Sequence, residues 1–249
     1  MAGIFVQFVI SWLVIWLYNK GSLSVLGLKP DSRRTLDFFI HFFLTAVCCA
    51  SGVLAKKIIA GQPWQVNPAF DGALLWNGIW WNIKSVLFEE LVFRGVMLYI
   101  LLKKLGAKKA IIISAIAFGI YHWFSLGAFG NPMQMIIVFL STGAMGFVLA
   151  YAYSKTGSLF IPIGIHLGWN FTQIFIFSQG PIGNGLFIQS PVWPFRTDSI
   201  ILFLIVTFLT TLAALLLNYL LVKRRTANRK EAILPDKSGQ NQLSRQIST

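Results

Sequence analysis

Charge is what this chain has least of. Asp, Glu, Lys and Arg make up 12% of its 249 residues, where an ordinary soluble domain carries about 25%. Only 8 residues are acidic and only 3 are histidine. Hydrophobic residues account for 56%, and the mean hydropathy is +0.68. Too few polar residues remain to coat a water-soluble globule of this size, so a soluble enzyme and a disordered chain are both excluded. Cysteine is nearly absent too. Cys48 and Cys49 are adjacent in an apolar stretch. Neighbouring cysteines rarely bridge, so no disulfide framework is implied, and the two read as small buried side chains.

What is present is apolar sequence in long runs. A hydrocarbon crossing needs about 20 residues. Runs near that length lie at 2–18, 36–59, 73–102, 109–127, 133–153, 158–178 and 199–222. The fold class this predicts is all-α, a polytopic transmembrane bundle of about seven helices. The first run has no basic leader and no Ala-x-Ala site after it, so it reads as a retained helix and not a cleaved signal. The third is long, and Trp76, Trp80 and Trp81 suit an interfacial or re-entrant start.

The balance of charge is +13, with pI about 10.1. In a soluble protein this would suggest nucleic acid; here it reads as orientation, and no nucleic-acid partner is expected. Sixteen of the 21 Lys and Arg fall between runs 1 and 2, 3 and 4, or 5 and 6, or after run 7. Only Lys56, Lys57 and Arg196 fall on the opposite side. Cytoplasmic loops collect Lys and Arg, so the amino terminus is expected outside and the carboxyl terminus in the cytoplasm of a cell membrane, bacterial in kind. Residues 1–222 are read as the membrane-embedded domain. Residues 223–249 are read as a basic, disordered cytoplasmic tail against anionic headgroups.

An ionisable residue at membrane depth is a functional-site hypothesis by default. Two of the eight acids, Glu89 and Glu90, sit together in the third run, with Arg94 close behind. Glu90 and Arg94 are four apart, so they share a helix face and can form a charge-assisted pair. Glu89 points about 100° away and is left to face a cavity, where it suits a general base. His122 follows Phe118 by four residues. His166 precedes Asn170 by four, and Gly164 and Gly168 flank it in a spacing that admits a neighbouring helix backbone. His41, four residues after Asp37, reads as an interfacial contact with that acid. Glu, two His and Asn can activate a water directly, or on a divalent metal such as zinc held by Glu89, His122 and His166. Asn170 can steady an oxyanion. Hydrolysis in a water-excluded cavity is the class this set suggests. His-Glu-x-x-His, Gly-x-Gly-Asp and Gly-x-Ser-x-Gly are all missing.

Glu89-Glu90-x-x-x-Arg94, then Phe118-x-x-x-His122, then His166-x-x-x-Asn170, in that order on apolar helices, resembles the CAAX-protease and bacteriocin-processing family of intramembrane proteases, also called the Abi family. The resemblance covers roughly residues 85–170. It implies that Glu89 activates water, that Glu90 and Arg94 support it, and that His122, His166 and Asn170 complete the site. The implied activity is an intramembrane endopeptidase acting on a lipid-anchored protein or membrane peptide. Two other classes stay open. One is a non-catalytic scaffold or immunity protein of the same fold; the other is a transporter relaying protons through Glu and His. Loss of function in Glu89→Gln would favour the protease, and retention the scaffold.

Overall fold

The computed structural model describes residues 2–61, 64–180, 182–189 and 199–233. Helices dominate it: α1 (Ala2–Asn19), α2 (Ser32–Ala60), α3 (Gly72–Glu90), α4 (Met97–Ser125), α5 (Pro132–Thr156), α6 (Phe160–Asn170) and α7 (Ile200–Ile233). A small antiparallel sheet pairs β1 (Trp64–Val66) with β2 (Phe187–Gln189), Gln65 opposite Ile188. The architecture is an all-α bundle.

The helices start where the sequence supplies caps. The Asp31 carboxylate accepts from the Arg34 N–H at 2.8 Å and opens α2. Asp71 does the same for α3 through Leu74 N–H at 2.8 Å. Asn131 opens α5, with Pro132 in the first turn, the position where its missing N–H costs nothing. The starting segment of the third run is thus a regular, capped helix.

That run is irregular further along. α3 ends at Glu90, a wide π-type turn spans Leu91–Val96, and Gly95 leaves helical geometry at ψ −127. Periodicity cannot register such a turn, because one widened turn barely shifts the apolar pattern on either side of it. α4 is itself divided by Gly106, at φ 73 and ψ 168. The expected gap between runs 3 and 4 coincides with this residue. A second π-type turn, Phe171–Ile176, follows α6.

The bundle has two chemically distinct ends. At one, Leu159 N–H donates to Leu26 carbonyl at 3.2 Å and Ser158 Oγ to Gly27 carbonyl at 3.0 Å, closing the loops after α1 and α5 on each other. Loops at this end carry most of the Lys and Arg. At the other end lie the sheet and the Asn67 N–H to Leu186 carbonyl bond, 2.9 Å. Outward, α2 presents Phe39, Phe43, Val47 and Ile58, the last 80% exposed, a surface suited to lipid. Ser32–Ile59 and Pro132–Thr156 are long and apolar enough to cross a membrane.

α6 lies against α2 at backbone distance. A Cβ on Gly164 would stand 2.6 Å from the Phe38 carbonyl oxygen, and one on Gly168 2.4 Å from that of Phe42. His41 differs from expectation. It is buried, and its Nδ1 lies 2.6 Å from Asn218 Oδ1, while Asn218 Nδ2 donates to Thr45 Oγ1 at 2.9 Å. Asp37 pairs with Arg225 of α7 instead. The contacts tie α2 to α7, a long-range packing choice that a four-residue spacing could not reveal. α7 itself runs on to Ile233, eleven residues past the end of the seventh apolar run. Residues 234–249, most of the expected tail, and Arg196 lie outside the described residues.

Gly168→Ala should destabilise the bundle by about 1–3 kcal/mol through overpacking against backbone. The control is Gly143→Ala, whose Cβ would meet the Ala115 oxygen at an ordinary 3.8 Å. Thermal melts in detergent should show a clear drop for the first and none for the second.

Candidate active site

The third run delivers its three charges by helix geometry. On α3, Trp81, Ser85 and Glu89 recur every four residues and line one cavity. Glu90, one residue on, turns away from it and is fully buried, as is Arg94. Arg94 Nε donates to Glu90 Oε2 at 2.6 Å, and Arg94 Nη2 donates to Glu90 Oε1. The guanidinium carbon sits 4.2 Å from the centre of the Phe118 ring, so a ring face covers the rest of the cation.

The wide turn after Glu90 frees backbone groups, and other helices take them up. Ser114 Oγ on α4 donates to the Phe93 carbonyl inside that turn at 3.0 Å, and Gln7 Nε2 on α1 adds a second donor, at 3.2 Å, to the Phe88 carbonyl, which also accepts from the Leu91 N–H. An irregular turn at membrane depth survives only where such partners exist. Neither Ser114 nor Gln7 carries a sequence signal for this role.

The imidazoles are oriented by their Nδ1 atoms. His166 Nδ1 lies 2.7 Å from Glu90 Oε1. His122 Nδ1 lies 2.8 Å from the Phe118 carbonyl oxygen. A carboxylate and a carbonyl only accept, so both rings carry their proton on Nδ1. Both Nε2 atoms then present lone pairs. Asn170 Nδ2 donates to His166 Nε2 at 3.3 Å. The two Nε2 atoms each lie 3.7 Å from Glu89 Oε2. That separation exceeds a hydrogen bond and is one at which a bridging water is to be considered. Glu89 Oε2 is buried and has no hydrogen-bond partner among the described residues.

Glu89, His122, His166 and Asn170 therefore meet at one cavity of about 440 Å³, and Glu90 with Arg94 stands behind it. The link from Glu90 to His166 spans 76 positions and had no sequence signature. Among the described residues, no group of three or more His, Cys, Asp or Glu has the arrangement of a metal-binding set.

The buried Glu90–Arg94 pair yields a test. Arg94→Ala strands a buried carboxylate and should cost roughly 3–5 kcal/mol. Arg94→Met combined with Glu90→Gln leaves no lone charge and should recover much of that stability, since a Gln oxygen still accepts from His166. Melts of the single and double variants in detergent check this; equal losses would remove the pair from its structural role.

With the geometry in hand, comparison with known proteins is specific. Residues 71–172 match the family model described as "Type II CAAX prenyl endopeptidase Rce1-like". The chain is also 30% identical over 109 residues, 44% of its own length, to the Bacillus subtilis (strain 168) protein named "Putative membrane peptidase YdiL". The chain spans 40% of that relative's length. No solved structure matches. The matched segment holds Glu89, Glu90, Arg94, His122, His166 and Asn170, and over residues 71–172 the chain is similar to the Rce1-like type II CAAX prenyl endopeptidases.

Proposed function

We propose that this membrane protein is an intramembrane endopeptidase in which Glu89 activates water against a peptide bond. The observation that carries the reading is the convergence of Glu89 Oε2 with the Nε2 atoms of His122 and His166, at 3.7 Å each, on one cavity. A water between them donates one hydrogen to Glu89 and the other to an imidazole lone pair. Its oxygen is then free to attack a carbonyl carbon. Glu89 takes the proton as the carbon–oxygen bond forms. The second N–H of Asn170 is available to the developing oxyanion. When the carbon–nitrogen bond breaks, Glu89 returns the proton to the leaving amine. His166 keeps its orientation because Glu90 holds its Nδ1, and Arg94 holds Glu90. The substrate class is a membrane-associated peptide or a prenylated protein.

The chain is further proposed to cross the membrane several times, with the Lys- and Arg-rich end of the bundle in the cytoplasm. The charge asymmetry between the two ends supports this. A reporter fused after Arg225 should read as cytoplasmic, and an external readout would sink the topology.

Glu89→Gln keeps the shape and removes the base. Cleavage should fall by about 10²–10⁴-fold with an unchanged melting temperature. Membrane peptide profiles from cells carrying each form provide the readout. Products that persist in the Glu89→Gln cells would remove Glu89 from the chemistry.

A further inference from the structure

The cavity that holds Glu89 is not symmetric along the bundle. Its walls grade from buried to exposed in one direction. At the deep end Glu89, Phe118, Met145 and His166 are buried. At the other end Ser125, Leu126 and Gly180 line the same cavity and are exposed, Leu126 by 53%. These belong to the end of α4 and to the segment leading to β2, and so to the end of the bundle that carries the sheet. Helix geometry gives the same direction. His122 stands three residues from the end of α4 at Ser125, about 4.5 Å of rise. In the other direction sixteen residues separate it from Gly106, at the Lys- and Arg-rich end, about 24 Å.

The floor is closed. Phe93, Val148, Leu149, Ile161, Ile165 and Leu215 form one buried cluster with Phe118 and Met145. Each of the six lies, along its own segment, farther toward the Lys- and Arg-rich end than the cavity residues do. Among the described residues, none from the loops at that end lines the cavity. The rim, by contrast, is polar. Lys56, Ser125 and Gln179 line the cavity toward its exposed end, whereas the outer surface of α2 presents Phe43, Val47 and Ile58. Lys57, next to Lys56, turns to a separate apolar pocket with Trp64 and Phe177. A lysine lays its stem along apolar wall and keeps its charged head in water, so Lys56 suits a mouth filled by solvent and not by acyl chains.

Hydrolysis needs water at Glu89, and with a packed floor the water enters from the exposed end. The distribution of Lys and Arg puts that end outside the cell. We infer that the catalytic cavity opens on the outer face of the membrane, and that its substrate is a peptide segment presented there. The substrate class is then the outward-facing stretch of an exported, membrane-associated peptide, and not the cytoplasmic tail of a prenylated protein. This rests on the reading of Glu89 as the cleaving group and adds the side from which water and substrate arrive.

The test uses the full-length protein in intact cells and in inside-out membrane vesicles, with a charged, membrane-impermeant methanethiosulfonate as the probe. Cys48→Ala with Cys49→Ala removes the native thiols. Single cysteines are then placed at the mouth, by Ser125→Cys or Gln179→Cys, and at the opposite end, by Lys108→Cys. A fixed charge crosses hydrocarbon poorly, so the mouth cysteines should react at least about tenfold faster in intact cells than in vesicles. Lys108→Cys should show the reverse. Either mouth position carries the test if the other variant fails to fold. Mouth cysteines that react only in vesicles, or from neither side, overturn the proposal. Membrane peptide profiles of wild-type and Glu89→Gln cells give the second readout. Glu89-dependent products should map to outward-facing segments, and products that map to cytoplasmic segments overturn the proposal. Labelling from outside with no Glu89-dependent product would support the outward cavity and remove the protease reading. Glu89-dependent cleavage with the mouth labelled only in vesicles would do the reverse.

Discussion

A fully buried carboxylate with two partners is the constraint around which this bundle is organised. Glu90 accepts from both nitrogens of the Arg94 fork and from His166 Nδ1. Removing a carboxylate and a guanidinium from water costs several kcal/mol per ion, and their attraction offsets this only when the geometry is good and the remaining donors are satisfied. Here the fork supplies the geometry, the Phe118 ring covers the rest of the guanidinium, and the imidazole takes the second lone pair. Glu90 and Arg94 sit on one continuous stretch of chain, whereas His166 arrives from α6. The pair therefore joins two distant segments of sequence, and does so at the level where Glu89 faces the cavity.

Other features of the core follow from that junction. α6 must come close enough for His166 to reach Glu90, and Gly164 and Gly168 allow α2 to back it at carbonyl distance. The chain after Glu90 leaves α-helical geometry at Leu91–Val96, and the chain after Asn170 does so at Phe171–Ile176. Both irregular turns thus begin immediately after the residues that matter chemically. In an apolar solvent their freed carbonyls need internal donors, which Ser114 supplies for Phe93 in the first turn. Two proton positions are fixed by the same logic. Each imidazole gives its Nδ1 proton to an acceptor that can do nothing else, so neither Nε2 carries a proton, and the one on His166 accepts from Asn170. Glu89 Oε2 is left buried without a hydrogen-bond partner among the described residues.

The sequence by itself determined the solvent, the helices and the cast of polar residues. A chain with 12% charge and 56% hydrophobic residues must present apolar surface outward, and its apolar runs fall on the helices observed. Spacing of four was enough to pair Glu90 with Arg94, because the contact is local and the wide turn after Glu90 still brings Arg94 beside it. The same rule failed for Asp37 and His41, whose partners come from α7, more than 170 positions away. It could not find the bond from His166 to Glu90, nor the way Lys56 turns into the cavity while Lys57 turns out of it. Those depend on how helices cross and rotate, which is set by close packing summed over the bundle and leaves no local mark in the sequence. Local periodicity therefore named the residues, and only tertiary packing decided which of them share a cavity, which imidazole nitrogen faces it, and which carboxylate is left there without a partner.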